Sequence, residues 1–321
     1  MVSIQNSWKK RFTVIPAAAC ALISVFPHSV WATDAGQNIC GKTTQQLFQA
    51  CQYDARTETR TGFAICLNMS DPADSKACIR TTQKAHWEAN AQCKEVREAR
   101  NDVCDVTGSG PYDPVIDPAN FVSGIDNRYT PFPPGAFRVY EKRTAEGLER
   151  IRVEVLPETR EIMGVTVVTL RDTVTRNGVL IEDTKDWLAQ DKHGNVWYFG
   201  EIVQNFEDGL LANLDGSFEA GKGGAKPGFW SKGAPQVGES FRQEWALGEA
   251  EDVVEVVSLD ARDADVPFSQ NGTGPILKTL NTTPLSPGSD EFKYYVPGIG
   301  FALEVKPATG ERLELVDYGP R

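Results

Sequence analysis

Histidine is nearly missing from this chain. There are three, His28, His86 and His193. A zinc site built on imidazole is therefore starved of ligands. With His86 on a charged hairpin, a Ser-His-Asp triad would have to use His193 as its base, and no Gly-x-Ser-x-Gly elbow exists. No two cysteines stand about two to four residues apart, which excludes zinc ribbons and iron–sulfur loops. No apolar run reaches the roughly 20 residues of a spanning helix. Positive charge is also short, with 33 Lys and Arg against 44 Asp and Glu, a net charge of −11. That balance argues against nucleic acid and anionic lipid surfaces as partners. No internal repeat, low-complexity tract or cofactor motif is visible, and nothing in the composition fixes an oligomeric state.

What is present begins with an export signal. Lys9, Lys10 and Arg11 form a basic start, Phe12 to Phe26 is apolar around Pro16, and Val30-Trp31-Ala32 offers small residues for cleavage. Residues 1–32 are read as a signal peptide. Cys20 after Ala17-Ala18-Ala19 also resembles a lipoprotein box, although the apolar run continues past it. Loss of the segment would take the net charge from −11 to −14. The expected location is secreted or periplasmic.

The remaining six cysteines are Cys40, Cys51, Cys66, Cys78, Cys93 and Cys104. Their intervals are 11, 15, 12, 15 and 11, the same in both directions. At about 3.6 residues per turn, 11 and 15 residues return to nearly the same face of a helix. Residues 33–105 are thus predicted as two antiparallel helices folded near Asp71-Pro72. Six cysteines allow about 15 pairings. Only the nested set, Cys40–Cys104, Cys51–Cys93 and Cys66–Cys78, matches equal intervals on both arms. Small residues between them, Leu47, Ala55 and Gly62 facing Ala85, Ala89 and Val96, would let the backbones approach to disulfide distance. The helices are expected to start near Thr43 or Thr44 and near Asp74 or Ser75, with the second ending by Asp105. Lys84, Glu88, Arg97 and Arg100 are read as a solvated face. Disulfides fit an oxidising compartment.

Residues 106–135 form a proline-rich linker. Asp113, Asp117 and Asp126 within it are either turn formers or, less simply, oxygen ligands for calcium. From residue 136 to 321 the apolar pattern has period two. Strands are predicted at Phe137–Tyr140, Ile151–Val155, Val165–Val174, Leu180–Ala189, Val196–Phe199, Ser240–Trp245, Val253–Leu259, Glu291–Val296, Phe301–Val305 and Arg312–Val316. Asn177-Gly178 marks a tight hairpin. The fold class is α+β: a disulfide-stapled helical hairpin followed by a large antiparallel β domain, a curved sheet or half-barrel.

The stretch Asp186-Trp-Leu-Ala-Gln-Asp-Lys-His-Gly-Asn-Val-Trp-Tyr-Phe-Gly-Glu201 resembles a strand–turn–strand signature of an uncharacterised family of secreted bacterial proteins. Tyr294-Tyr-Val-Pro-Gly-Ile-Gly300 with Leu313-Glu-Leu-Val-Asp-Tyr318 resembles the Pro-Gly-x-Gly ending of envelope proteins with curved antiparallel sheets. The resemblance implies a wrapped sheet, distantly like lipoprotein-carrier half-barrels. It implies no activity and no catalytic residues.

Two side-chain groups bear on function. Trp187, Trp197, Phe199, Trp230, Phe241 and Trp245 concentrate in the middle strands. They either line a site for a hydrophobic small molecule, lipid or polymer, or make an ordinary tryptophan-rich core. Phe292, Tyr294 and Tyr295 would close the same region, and Gly221–Trp230 is a candidate flap. Glu182, Asp183, Asp186, Asp191 and Glu201 lie on two paired strands. By alternation Glu182 and Asp186 share one face, with Asp172 a candidate opposite them, while Asp183 lies on the other. Such a cluster is a polar sheet face or an acid–base pair. The leading expectation is a non-enzymatic ligand-binding protein. The alternatives are an adhesion module using the hairpin as an arm, and a carboxylate-dependent hydrolase.

Overall fold

The computed structural model describes residues 38–320. The expected signal peptide, residues 1–32 with Cys20 and His28, lies outside the described residues.

Two helices open the fold, α1 (Ile39–Leu67) and α2 (Pro72–Thr107). Helix α1 starts earlier than Thr43. The Asn38 side chain accepts a hydrogen bond from Gly41 N at 2.7 Å and caps it. Thr43 instead donates to the Ile39 carbonyl one turn back, and Thr44 is buried against Cys104. Asp71-Pro72 is a cap rather than only a turn: Asp71 accepts from Ala73 N and Asp74 N, and Pro72 needs no donor at the first helical position. The nested disulfides join the arms, with Cα separations of 5.8, 5.8 and 5.5 Å for Cys40–Cys104, Cys51–Cys93 and Cys66–Cys78. Gly62 is needed for this approach, since a Cβ there would lie 2.7 Å from the Thr82 methyl. Thr82 and His86 take the place expected of Ala85, which is exposed. His86 Nδ1 meets the Thr59 hydroxyl at 2.8 Å.

The strands are β1 (Phe121–Val122), β2 (Phe137–Thr144), β3 (Gly147–Ile162), β4 (Val165–Arg176), β5 (Val179–Asp191), β6 (Val196–Glu207), β7 (Leu210–Asn213) and β8 (Phe218–Glu219). They continue as β9 (Lys226–Ser231), β10 (Ser240–Arg242), β11 (Glu244–Trp245), β12 (Val253–Ser258), β13 (Leu277–Thr282), β14 (Glu291–Val296), β15 (Gly300–Val305) and β16 (Arg312–Gly319). All form one antiparallel sheet in the order β10-β12-β13-β14-β15-β16-β2-β3-β4-β5-β6-β9-β11, with β1, β7 and β8 off the path. The two ends of that path, β10 and β11, are separated only by Gln243. One segment therefore pairs with β12 on one side and β9 on the other, and the sheet is a nearly closed barrel.

Strand β13 escaped the sequence pattern because its buried positions include Lys278, Thr279 and Asn281. Strand β3 runs past Val155 because Leu156-Pro157-Glu158 is accommodated as an irregularity opposite β4. Asn177 and Gly178 both have positive φ, as a two-residue hairpin requires. The second half of the expected flap is strand β9, and Gly228 in it leaves no room for a side chain, since a Cβ would lie 2.2 Å from the Gln243 carbonyl oxygen.

Residues between α2 and β2 pack on the barrel. Ile125, Tyr129 and Phe132 are buried. Asn127 donates to the Gly194 and Lys232 carbonyls and accepts from Tyr129 N and Thr130 N. The three aspartates expected there have separate partners: Asp113 takes Lys226, Asp117 caps Ala119 N and Asp126 accepts from Gln190. Among the described residues no cluster of three or more His, Cys, Asp or Glu is placed to hold a metal ion.

The hairpin docks through its barrel-proximal end. Arg100, expected on a solvated face, is buried and makes a bidentate ion pair with buried Glu251, at 2.8 and 2.5 Å. Glu251 also accepts from Gly248 N at 2.6 Å.

Candidate functional site

The barrel interior holds a cavity of about 300 Å³. Its walls come from nearly the whole ring: β2, β3 and β4, then β5 and β6, and finally β14 and β15. Six carboxyl residues line it, Asp172, Asp186, Glu201, Glu244, Asp252 and Glu304, against two basic ones, Arg138 and Lys293.

The register explains this enrichment. On β5 the inward positions alternate through Thr184, Asp186 and Leu188. Asp186 pairs with Glu201 of β6, and Leu188 pairs with Tyr198. Two residues of β5 thus oppose a longer step on β6, and the bulge falls at Phe199-Gly200. It flips the alternation once, so that Tyr198 and Glu201 face the same interior. Gly200 permits the bulge: its φ is +131°, and a Cβ would lie 2.3 Å from the Phe218 carbonyl oxygen. The result is a triad of acidic groups. Tyr198 donates its hydroxyl proton to Asp186 Oδ1 at 2.5 Å, with Glu201 beside both.

Burial dominates the titration of these groups. It pushes Asp186 up to about 6, opposed by the Tyr198 hydrogen bond and aided by Glu182. It pushes Glu201 up to about 10, with Asp186 and Glu244 adding to the rise. Asp172 and Glu244 are also held well above the usual carboxylate range, by burial first and then by neighbouring acids. Asp172 Oδ1 is the one buried side-chain polar atom among the described residues without a hydrogen-bond partner.

The basic groups are already engaged. Arg138 donates to the Ile299 carbonyl at 2.9 and 2.7 Å and to the Pro131 carbonyl at 2.5 Å. Ile299 sits in the Pro297-Gly-Ile-Gly300 turn, so that turn serves as the seat of Arg138. Lys293 lies between Glu291 at 3.4 Å and Glu304 at 3.9 Å. Burial would lower its pKa, and Glu304 and Glu291 outweigh that and keep it charged.

The structure separates the six aromatics singled out in the sequence. Trp187, Trp197 and Phe199 lie on the outer face, in a cluster with Val165, Val167 and Ala189 under Ile116 and Phe121. Phe241 joins a cluster with Tyr129, Val254 and Tyr295. Trp245 meets Tyr112 at the hairpin junction, with ring centroids 6.1 Å apart. Only Trp230 of the six lines the cavity, stacked edge-on against Tyr198 at 4.9 Å. The other aromatic walls are Phe132, Tyr140, Tyr295 and Phe301. Phe292 and Tyr294 belong to a different cluster around Leu303 and Leu315.

The acids divide as well. Asp183 points outward and makes a bidentate pair with Arg171, at 2.9 and 2.6 Å. Asp191 organises the β5–β6 turn, accepting from His193 N, Asn195 N, Asn195 Nδ2 and Trp197 Nε1. Burial would raise its pKa, and those hydrogen bonds outweigh burial and lower it. Glu182 accepts from the Thr184 hydroxyl on the face that carries Asp186. Glu244 and Asp252 were not singled out in the sequence. They reach the cavity only through barrel closure.

Compared with family models, curated proteins and solved structures, the chain finds no match.

Proposed function

We propose that this is an exported, non-catalytic protein whose barrel interior is a chamber for one small ligand. The observation that carries the reading is the cavity of about 300 Å³ lined by Asp172, Asp186, Tyr198 and Glu201 on one wall and by Phe132, Trp230 and Phe301 elsewhere. Ligand sites are concave, mostly apolar and fitted with a few converging polar groups, with volumes of about 300–1,000 Å³. The lower end of that range favours a small molecule over a lipid chain or polymer. The three intramolecular disulfides are consistent with an oxidising compartment, and no helix of the described residues is long and apolar enough to cross a membrane. The family resemblance read from Asp186–Glu201 and from Pro297-Gly-Ile-Gly300 belongs to the same reading, as a secreted bacterial protein with a wrapped sheet. Native mass spectrometry of protein purified from its export compartment tests the chamber. A stoichiometric co-purifying mass, lost in a Leu170→Trp variant that fills the cavity, is expected. A bare protein mass, together with no thermal shift across a small-molecule panel, overturns the reading.

A second reading rests on the hairpin. Ile65, Leu67 and Trp87 are 59%, 75% and 71% exposed, which suits an arm that engages a partner. Replacing all three by serine should abolish pull-down of such a partner while the barrel stays folded. Unchanged pull-down refutes the arm.

A further inference from the structure

Resting on the reading of the barrel interior as a ligand chamber, we propose that its ligand is a small organic cation, a primary amine or quaternary ammonium group held by Asp172, Asp186 and Glu201 against the rings of Tyr198 and Trp230.

Three observations converge on it. The first is charge. The chamber carries six carboxyl residues and two basic ones, and neither base is available. Arg138 is committed to the Ile299 and Pro131 carbonyls, and Lys293 sits between Glu291 and Glu304. Asp172, Asp186 and Glu201 make no ion pair among the described residues. Buried carboxyl groups without a cation are costly to ionise, so a chamber built this way holds protons until something replaces them. The second is the unpaired Asp172 Oδ1. A buried acceptor left alone is destabilising; the N–H of a primary ammonium satisfies both its lone pair and its charge, whereas a quaternary ammonium answers only the charge. The third is the aromatic wall. Tyr198 and Trp230 pack edge-on at 4.9 Å, and cations are attracted to the faces of such rings. A bare metal ion fits poorly, because no group of three or more ligating side chains is placed to surround one among the described residues.

Cation binding then exchanges for protons. The groups facing Asp172 are Asp186 and Glu182 across the strand pair and Tyr140 of β2, with Asp183 behind them on the outer face. Those facing Glu201 are Asp186, Glu244, Tyr198 and Glu182. Elsewhere on the wall stand Arg138, Lys293, Tyr295, Asp252 and Glu304. The bases there are already engaged, so the proton released comes from the acidic wall. Affinity for a cation therefore rises with pH while the wall carboxyls are still protonated.

Isothermal titration calorimetry on the purified disulfide-bonded protein tests this. The probes are 1,4-diaminobutane and tetramethylammonium, with 1,4-butanediol and tert-butanol as neutral counterparts and calcium chloride as the metal. Each is run at pH 6 and pH 8 in two buffers of different ionisation enthalpy. At least one organic cation should bind ten-fold or more tightly than its neutral counterpart, more tightly at pH 8, with net proton release. Asp172→Asn and Glu201→Gln should each weaken that binding at least ten-fold. Both variants remove a buried ionisable group, and their thermal melts report directly whether they fold. Binding of neither cation, equal binding of the neutral compounds, or preference for calcium overturns the inference. The chamber reading stands or falls separately, on the co-purifying mass: a neutral molecule found there would overturn the cation and keep the chamber.

Discussion

The ion pair between Arg100 and Glu251 gives the sharpest test of how the hairpin is held. Arg100 is 8% exposed and Glu251 3%. Two charge-assisted hydrogen bonds join them, and Gly248 N supplies Glu251 with a third. Arg100→Met keeps the apolar stem but leaves a buried carboxylate with one backbone donor. Removal of one partner from a buried pair costs about 3–5 kcal/mol, most of it the stranded charge. Glu251→Gln in the same background removes that charge and keeps an acceptor for Gly248 N. The double variant should therefore recover about 1.5–3 kcal/mol relative to Arg100→Met, the scale of a hydrogen bond to a charged group. Urea titrations of wild type, both single variants and the double variant, with the disulfides intact, give the four free energies of the cycle. A cost below about 1 kcal/mol for Arg100→Met would refute the argument that this contact anchors the hairpin. A double variant worse than the sum of the singles would refute the stranded-charge account.

Other outcomes follow from the same physics. Glu201 keeps its proton well above the ordinary value, so in that interval the folded protein binds more protons than the unfolded chain, and stability falls as pH rises from about 4.5 towards 10. Glu201→Gln should flatten the pH profile of the melting temperature, and an unchanged slope would count against buried titration. Asp191 has the opposite sign: its contribution is present above the usual aspartate value and is lost as pH falls through its lowered folded value. Asp191→Ala should cost about 1–3 kcal/mol at neutral pH and less in acid, as the carboxylate takes up its proton, checked by denaturant unfolding across that range. Gly200→Ala places a Cβ against the Phe218 carbonyl and should lower the thermal midpoint by several degrees, at about 1–3 kcal/mol for the strained backbone. A neutral effect would mean the bulge is not rigid.

The hairpin was legible because disulfide spacing and helical period are both local. Its N-terminus was not, because Asn38 competes with Thr43 and Thr44 for the same role and only the geometry shows which one caps. Arg100 looked like its charged neighbours, since its partner lies 151 residues away. That Glu182 and Asp186 share one face and Asp183 the other followed from simple alternation; which face looks inward, and that Asp172 and Asp186 line the cavity while Glu182 does not, needed the sheet to close. Glu201 joined the interior through a bulge, and the isolated glycine after Phe199 was the signal that marked it. Trp187, Trp197 and Phe199 share a face, but alternation alone does not say which face is the inside of a ring. Glu244 and Asp252 needed closure of the barrel itself, which joins segments that no local pattern relates.

That closure is uneven. Strands β3 and β4 are matched over eleven residue pairs, whereas the joint made by β10 and β11 holds three pairs on one side and two on the other. A hoop parts at its shortest weld, so freeing Glu244 and Trp245 from β9, two pairs against three at β15–β16 and three at β6–β9, breaks the fewest ladder pairs around the ring. Arg100 and the Cys40–Cys104 bridge are moored beside that weld, through Glu251 and Arg242. The stapled helices therefore act on the barrel as a clasp over its thinnest link.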